Sequence, residues 1–171
     1  MNHFKGKQFQ QDVIIVAVGY YLRYNLSYRE VQEILYDRGI NVSHTTIYRW
    51  VQEYGKLLYQ IWKKKNKKSF YSWKKDETYI KIKGKWHYLY RAIDADGLKE
   101  HRTIKYLNNL IEQDHRPVKR RNKFYRSLRT ASTTIKGMEA IRGLYKKTRK
   151  EGTLFGFSVC TEIKVLLGIP A

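Results

Sequence analysis

Two helix starts, each spelled out by a serine cap and a flanking apolar pair, constrain this chain more than any other feature in it. Ser27-Tyr28-Arg29-Glu30 fits a capping box, in which the serine hydroxyl accepts from the N3 backbone N–H and the glutamate turns back to the cap's own N–H. Leu26 and Val31 stand where a hydrophobic staple closes a helix entry. Tyr28, Val31, Ile34 and Leu35 follow helical spacing, and Gly39 supplies a stop. A second helix starts at Ser43 with its own staple pair, Val42 and Ile47, and an apolar stripe of Ile47, Trp50, Val51 and Tyr54. His44, Thr45, Thr46, Tyr48 and Arg49 are left facing outward near its N-terminus. With an apolar helix before them over about residues 11–24, the two predict a helix-turn-helix whose second helix enters the major groove. Hydroxyls, a histidine and an arginine suit that place, because they hydrogen-bond bases and phosphates. A generic three-helix bundle is the competing reading, and the Gly39–Ser43 connection is slightly longer than the tightest form of the motif.

Charge names the partner. Lys and Arg total 35 against 15 Asp and Glu, a net charge of +20. Such a field attracts polyanions, and counterion release favours duplex DNA or RNA; a ribosome-associated basic protein is the blander alternative. A hydrophobic share of 42% and an aromatic share of 15% are too high for a disordered basic tail. At 171 residues the chain makes one domain or two small ones. Its longest apolar stretch, Val13 to Val18 and on to Leu22, is broken by Gly19 and falls short of the ~20 residues of a membrane span. No cleavable signal is visible. The single Cys160 excludes an internal disulfide and a multi-cysteine zinc site, and reads as a buried or half-buried thiol. A soluble, cytoplasmic, nucleoid-associated protein with no membrane partner is expected.

The periodicity changes twice along the chain. Residues 1–62 read as helical, and 63–69 form a basic linker within a tract, Tyr54 to Lys75, that carries eight cations and no acid. From Phe70 to Ile93 the texture is strand-like: Asp76 to Ile82, a Lys83-Gly84-Lys85 turn, and Trp86 to Ile93 returning. Symmetry about Gly84 would set Asp76 opposite Ala92 and Lys74 opposite Asp94. Asp94 would then share a face with Asp76, one diagonal step or about 7 Å away. Asp76 reads either as a Mg²⁺ ligand, since that ion takes one or two carboxylates plus phosphate oxygens and water, or as an edge charge paired with Lys74 or Lys81. After Tyr106 the chain turns helical again. There the spacing of Glu112 favours ordinary roles, a capping box with Asn109 or an i,i+4 pair with Arg116. His115 reads as solvated. Beyond Pro117, Lys119, Arg120 and Arg121 lead a run with Lys123, Phe124, Tyr125 and Arg126 that mixes cations and aromatics, as backbone-tracking surfaces do. Ile135, Met138, Ile141, Leu144 and Tyr145 form a core stripe, and Leu154 to Leu167 a loop and short closing helix.

The chain resembles bacterial insertion-sequence transposases of the sixth insertion-sequence family. The resemblance rests on Thr45-Thr46-Ile47-Tyr48-Arg49-Trp50-Val51, Asp76 through Trp86, Leu89-Tyr90-Arg91-Ala92-Ile93-Asp94, Lys105-Tyr106-Leu107-Asn108-Asn109, and Glu112-Gln113-Asp114-His115-Arg116. It implies an α+β fold: a three-helix helix-turn-helix over 1–62, the linker, and an RNase H-like, integrase-type DDE domain over 70–171 with a β-hairpin and C-terminal helices. By that likeness Asp76 is the first catalytic aspartate and Glu112 the closing glutamate, together holding Mg²⁺ or Mn²⁺ for cutting and joining DNA. The implied partner is the double-stranded terminal repeat of the element, with homo-oligomers or mixed oligomers with full-length transposase. In the family a long segment after the second strand carries the middle aspartate. Here the texture changes near residues 98–100, as after an in-frame deletion, and no acid matches that motif. Asp94, by the register above, is the one substitute placed near Asp76. The expectation is a transposase by descent whose catalysis is lost, or a helix-turn-helix remnant that binds element ends as a competitor or repressor.

Overall fold

Helix α1 (Gln11–Arg23) buries Ile14, Ile15, Ala17, Val18, Gly19, Tyr21 and Leu22. At 100° per residue these positions cover more than half of its circumference, where a surface helix buries a single stripe. Neighbours on two sides are required. The computed structural model supplies both, and describes residues 3–65, 73–94, 116, 118–121, 125–150 and 158–170. On one side lie α2 (Tyr28–Tyr36) and α3 (His44–Lys65); on the other lies α5 (Val159–Leu167), the last element after α4 (Leu128–Lys150).

The capping box at Ser27 forms as the sequence predicts, with Glu30 N–H donating to Ser27 Oγ at 3.2 Å and the Ser27 N–H donating to the Glu30 carboxylate. Those bonds, the backbone one first, hold the Glu30 carboxyl below the usual glutamate range. A depressed carboxylate stabilises the fold above its unfolded pKa, and that contribution is lost as pH falls through the folded value. Ser27→Ala is therefore expected to cost about 1 kcal/mol at neutral pH. It should also flatten the acid limb of the stability profile, as read by urea melts at neutral and acidic pH. Gly39, at φ +74, ends the turn after α2 as expected. The α3 stripe of Ile47, Trp50, Val51 and Tyr54 is buried throughout. Tyr54 Oη donates to the His3 carbonyl at 3.1 Å, and burial, then the Glu53 charge, push its pKa up to about 12.

Contacts divide the chain into two compact units, Met1–Asn66 with Ser132–Ala171, and Lys67–Ala131. The first unit contains α5 and most of α4 together with the N-terminal helices. A Cβ on Gly19 would lie 3.1 Å from Ile163 Cδ1 and 3.3 Å from Val159 Cγ1, so α1 and α5 meet through a bare backbone. A Cβ on Gly137 would stand 3.1 Å from the Gly55 Cα, bringing α3 and α4 equally close. Polar contacts rim these seams: Lys164 Nζ to Asp12 Oδ1 at 2.9 Å, Lys65 Nζ donating to the Leu166 carbonyl at 3.2 Å, and the Arg23 guanidinium over the Tyr145 ring at 4.2 Å. Lys63, Lys64 and Lys65, read as linker, form the last turn of α3, where cations complement the helix dipole. In the stripe on α4, Ile135, Met138 and Ile141 are buried, while Leu144 and Tyr145 are half-buried.

The second unit holds the antiparallel hairpin, β1 (Trp73–Ile82) and β2 (Lys85–Asp94). Its loop has two residues, Lys83 at φ 50 and Gly84 at φ 80, the paired positive values that suit the twist of a tight hairpin. The symmetry axis thus falls between Lys83 and Gly84 rather than on Gly84. Every cross-strand pair moves by one residue from the sequence reading: Asp76 pairs with Arg91 and Trp73 with Asp94.

Candidate functional site

Capping builds the outward surface of α3. Ser43 Oγ accepts from the Thr46 N–H at 3.2 Å and lies 2.9 Å from Thr46 Oγ1, so the Thr46 hydroxyl is already engaged. Gln32, on α2, reaches across the turn: its Oε1 accepts from the His44 backbone N–H at 3.0 Å and lies 3.2 Å from His44 Nδ1. With Nδ1 protonated and donating there, Nε2 is left as an acceptor. The Tyr48 ring meets Tyr28 edge-on at 5.5 Å, and Tyr28 stacks on Tyr21 at 4.2 Å, an aromatic ladder through all three helices. Thr45 and Arg49 are exposed, and His44, Thr46 and Tyr48 half-exposed. All five predicted contacts thus cluster at the first turns of one helix. The anchoring role of Gln32 was not read from the sequence, since a glutamine at a half-buried helix position carries no local signature.

The hairpin separates the carboxylates that the sequence reading brought together. Thr78, Ile80 and Ile82 are buried while Glu77, Tyr79 and Lys81 are exposed, a strict alternation. Asp76 occupies the Thr78–Ile80–Ile82 face, opposite Arg91. Asp94 pairs with Trp73 and so occupies the other face, because a one-residue change of register moves a whole strand's residues across the sheet. The expected diagonal partnership of Asp76 and Asp94 is corrected accordingly. No other acid shares the Asp76 face of the hairpin, and among the described residues no group of three or more His, Cys, Asp or Glu could hold a metal ion. Glu112, His115 and the stretch near 98–100 lie outside the described residues. The described residues by themselves do not assemble a two-metal centre.

Of the predicted basic contacts, Lys119 and Arg120 are exposed. Arg121 is 1% exposed and offers no surface to a phosphate backbone. Its place in a run of cations suggested solvation, but burial of a single member is invisible to charge pattern. Cys160 is a free, half-buried thiol whose pKa is raised by burial, which argues against a nucleophilic role. Among the described residues no helix is long and apolar enough to cross a membrane.

Comparison with known proteins gives the family. A family profile of the IS240-type transposases, described as a DDE domain, matches in two pieces, residues 70–99 and 98–148. The transposase for insertion sequence-like element IS431mec of Staphylococcus aureus is 49% identical over 222 aligned positions, covering 98% of this chain and 99% of that protein. The S. aureus transposase for insertion sequence element IS257 in transposon Tn4003 matches equally well, at 49% with the same coverage. An alignment of 222 positions against a chain of 171 residues leaves roughly fifty positions with no counterpart here. No solved structure matches.

Proposed function

This chain belongs to the insertion-sequence transposases of the sixth insertion-sequence family, and from that premise we propose that it binds the ends of its element through α2 and α3 without cutting them. The observation that carries the binding half is the clustering of His44, Thr45, Tyr48 and Arg49 on the first turns of α3, held by Ser43 and Gln32. In a helix-turn-helix that is the part of the second helix that reads base edges in the major groove. Arg49 reaches guanine or phosphate, His44 offers an acceptor, Thr45 a hydroxyl, and Tyr48 stands on its aromatic ladder beside them. Lys119 and Arg120 add sequence-independent attraction, within a chain of net charge +20.

The silent half rests on what is missing. In an RNase H-like DDE domain the carboxylates would hold divalent metal, which would supply charge stabilisation for phosphoryl transfer. Asp76 and Glu112 stand where the family has its first and last carboxylates. The family profile matches in two pieces that meet at residues 98–99, the S. aureus relatives align over roughly fifty more positions than this chain has, and the hairpin register removes Asp94 as a stand-in for the middle aspartate. Such a chain occupies element ends in competition with a complete transposase, alone or in mixed oligomers with it.

Binding is tested with labelled duplexes carrying the DNA that flanks the gene. At fixed salt, Arg49→Ala is expected to lower the preference for those ends over unrelated duplex by roughly tenfold. Asp76→Ala should leave it within about twofold, because the hairpin carboxylate plays no part in reading bases. An unchanged preference in Arg49→Ala contradicts the assignment of α3 as the recognition helix.

A further inference from the structure

The face of the hairpin opposite Asp76 is unlike an ordinary solvent face. Tyr79 is 47% exposed, and Trp86 and Tyr88 are each 62% exposed. All three share one face, because Tyr79 pairs with Tyr88 and Lys81 with Trp86. The two tyrosine rings are 5.0 Å apart, and Lys81 Nζ lies 5.5 Å from the centre of the Trp86 ring. Exposed Lys81, Lys83 and Lys85 crowd the tip of the same hairpin, and Glu77 is an exposed acid toward its other end. Isolated exposed aromatics need no explanation, but three on one face with Lys81 among them, next to a tip that carries Lys83 and Lys85, do.

We propose that this face is a stacking platform for the unpaired bases of single-stranded DNA. Flat rings and lysines at one site match the two parts of a single strand, base faces and phosphates. The cross-strand pairs Tyr79–Tyr88 and Lys81–Trp86 follow one another along the hairpin by two residues, or about 6.7 Å, room for separate bases. A duplex conceals its base faces, so the platform discriminates single from double strands, the reverse of what α3 does. Charge complementarity commits the face to a polyanion, since the chain carries +20 and lysine is the cation at this tip. The proposal does not depend on the recognition role of α3, because the two surfaces use different residues and different features of DNA.

The test is fluorescence anisotropy on the full chain, with a labelled oligodeoxythymidylate and, separately, a labelled duplex. Trp86→Ala and Tyr88→Ala are each expected to weaken single-strand binding roughly tenfold and leave duplex binding within about twofold. Trp86→Phe should keep most of the single-strand affinity, and circular dichroism should show all variants folded. Arg49→Ala should alter duplex preference and leave single-strand binding intact, so failure of either assignment is seen separately. Unchanged oligothymidylate binding in Trp86→Ala, an equal loss on duplex, or a concentration-dependent self-association abolished by Trp86→Ala would overturn the platform.

Discussion

Ile163→Asp is expected to unfold the helical unit under conditions where the unaltered chain is folded, and Ile163→Ala to lower its stability by about 3 kcal/mol. Ile163 is 1% exposed and meets the place where Gly19 has no side chain. Deleting its outer carbons leaves a void between α5 and α1 beside Val159, whose methyls already lie 3.3–3.4 Å from where a Gly19 side chain would start. An aspartate there is a charge with no partner in an apolar seam, which few single-domain stabilities survive. Urea denaturation followed by helical circular dichroism gives both numbers. A cost below about 1 kcal/mol for Ile163→Ala would mean that α5 merely rests on the N-terminal helices. The consequence reaches the proposed function: the α3 surface proposed to read DNA stands on a core that α5 completes.

The second large effect is a gain. Inserting near residues 98–100, where the two pieces of the family profile meet, the roughly fifty positions that the S. aureus relatives have and this chain lacks is expected to restore metal-dependent end cleavage. The gain over the unaltered chain should reach at least about 10²-fold, the scale of losing one group that stabilises transition-state charge. Asp76→Ala within the restored chain should return it to background, because both carboxylates then serve one site. Retained binding without any gain in cleavage would mean that the loss lies elsewhere than the missing segment.

How far the sequence was legible depended on how local the information was. Ser27, Glu30 and the Val42–Ile47 staple act within one turn, so α2 and α3 appear at their predicted positions. A hairpin between residues 76 and 93 was equally plain from its β-branched and aromatic content. Its register was not, because a single positive φ at Lys83 decides whether the loop has two residues or three, and lysine does not advertise that conformation. That one residue moved Asp94 to the other face and removed the only substitute carboxylate. An apolar helix over about residues 11–24 and a short closing helix before Leu167 were legible, yet only the fold shows the two packed together, more than a hundred residues apart in the chain. Arg121 looked like its neighbours and is buried. Family membership was carried by ordered blocks of residues, and the relatives show it directly.

The central claim, that the chain holds element ends and leaves them intact, is tested most directly in one assay. Purified protein is incubated with labelled duplexes from the DNA flanking its gene, in Mg²⁺ or Mn²⁺, with binding and strand cleavage read from the same samples. Specific retention with no cleavage, unchanged by Asp76→Ala, is the expected result. Metal-dependent cleavage that both Asp76→Ala and Glu112→Ala abolish would contradict it, and would show that a working carboxylate site forms without the middle aspartate.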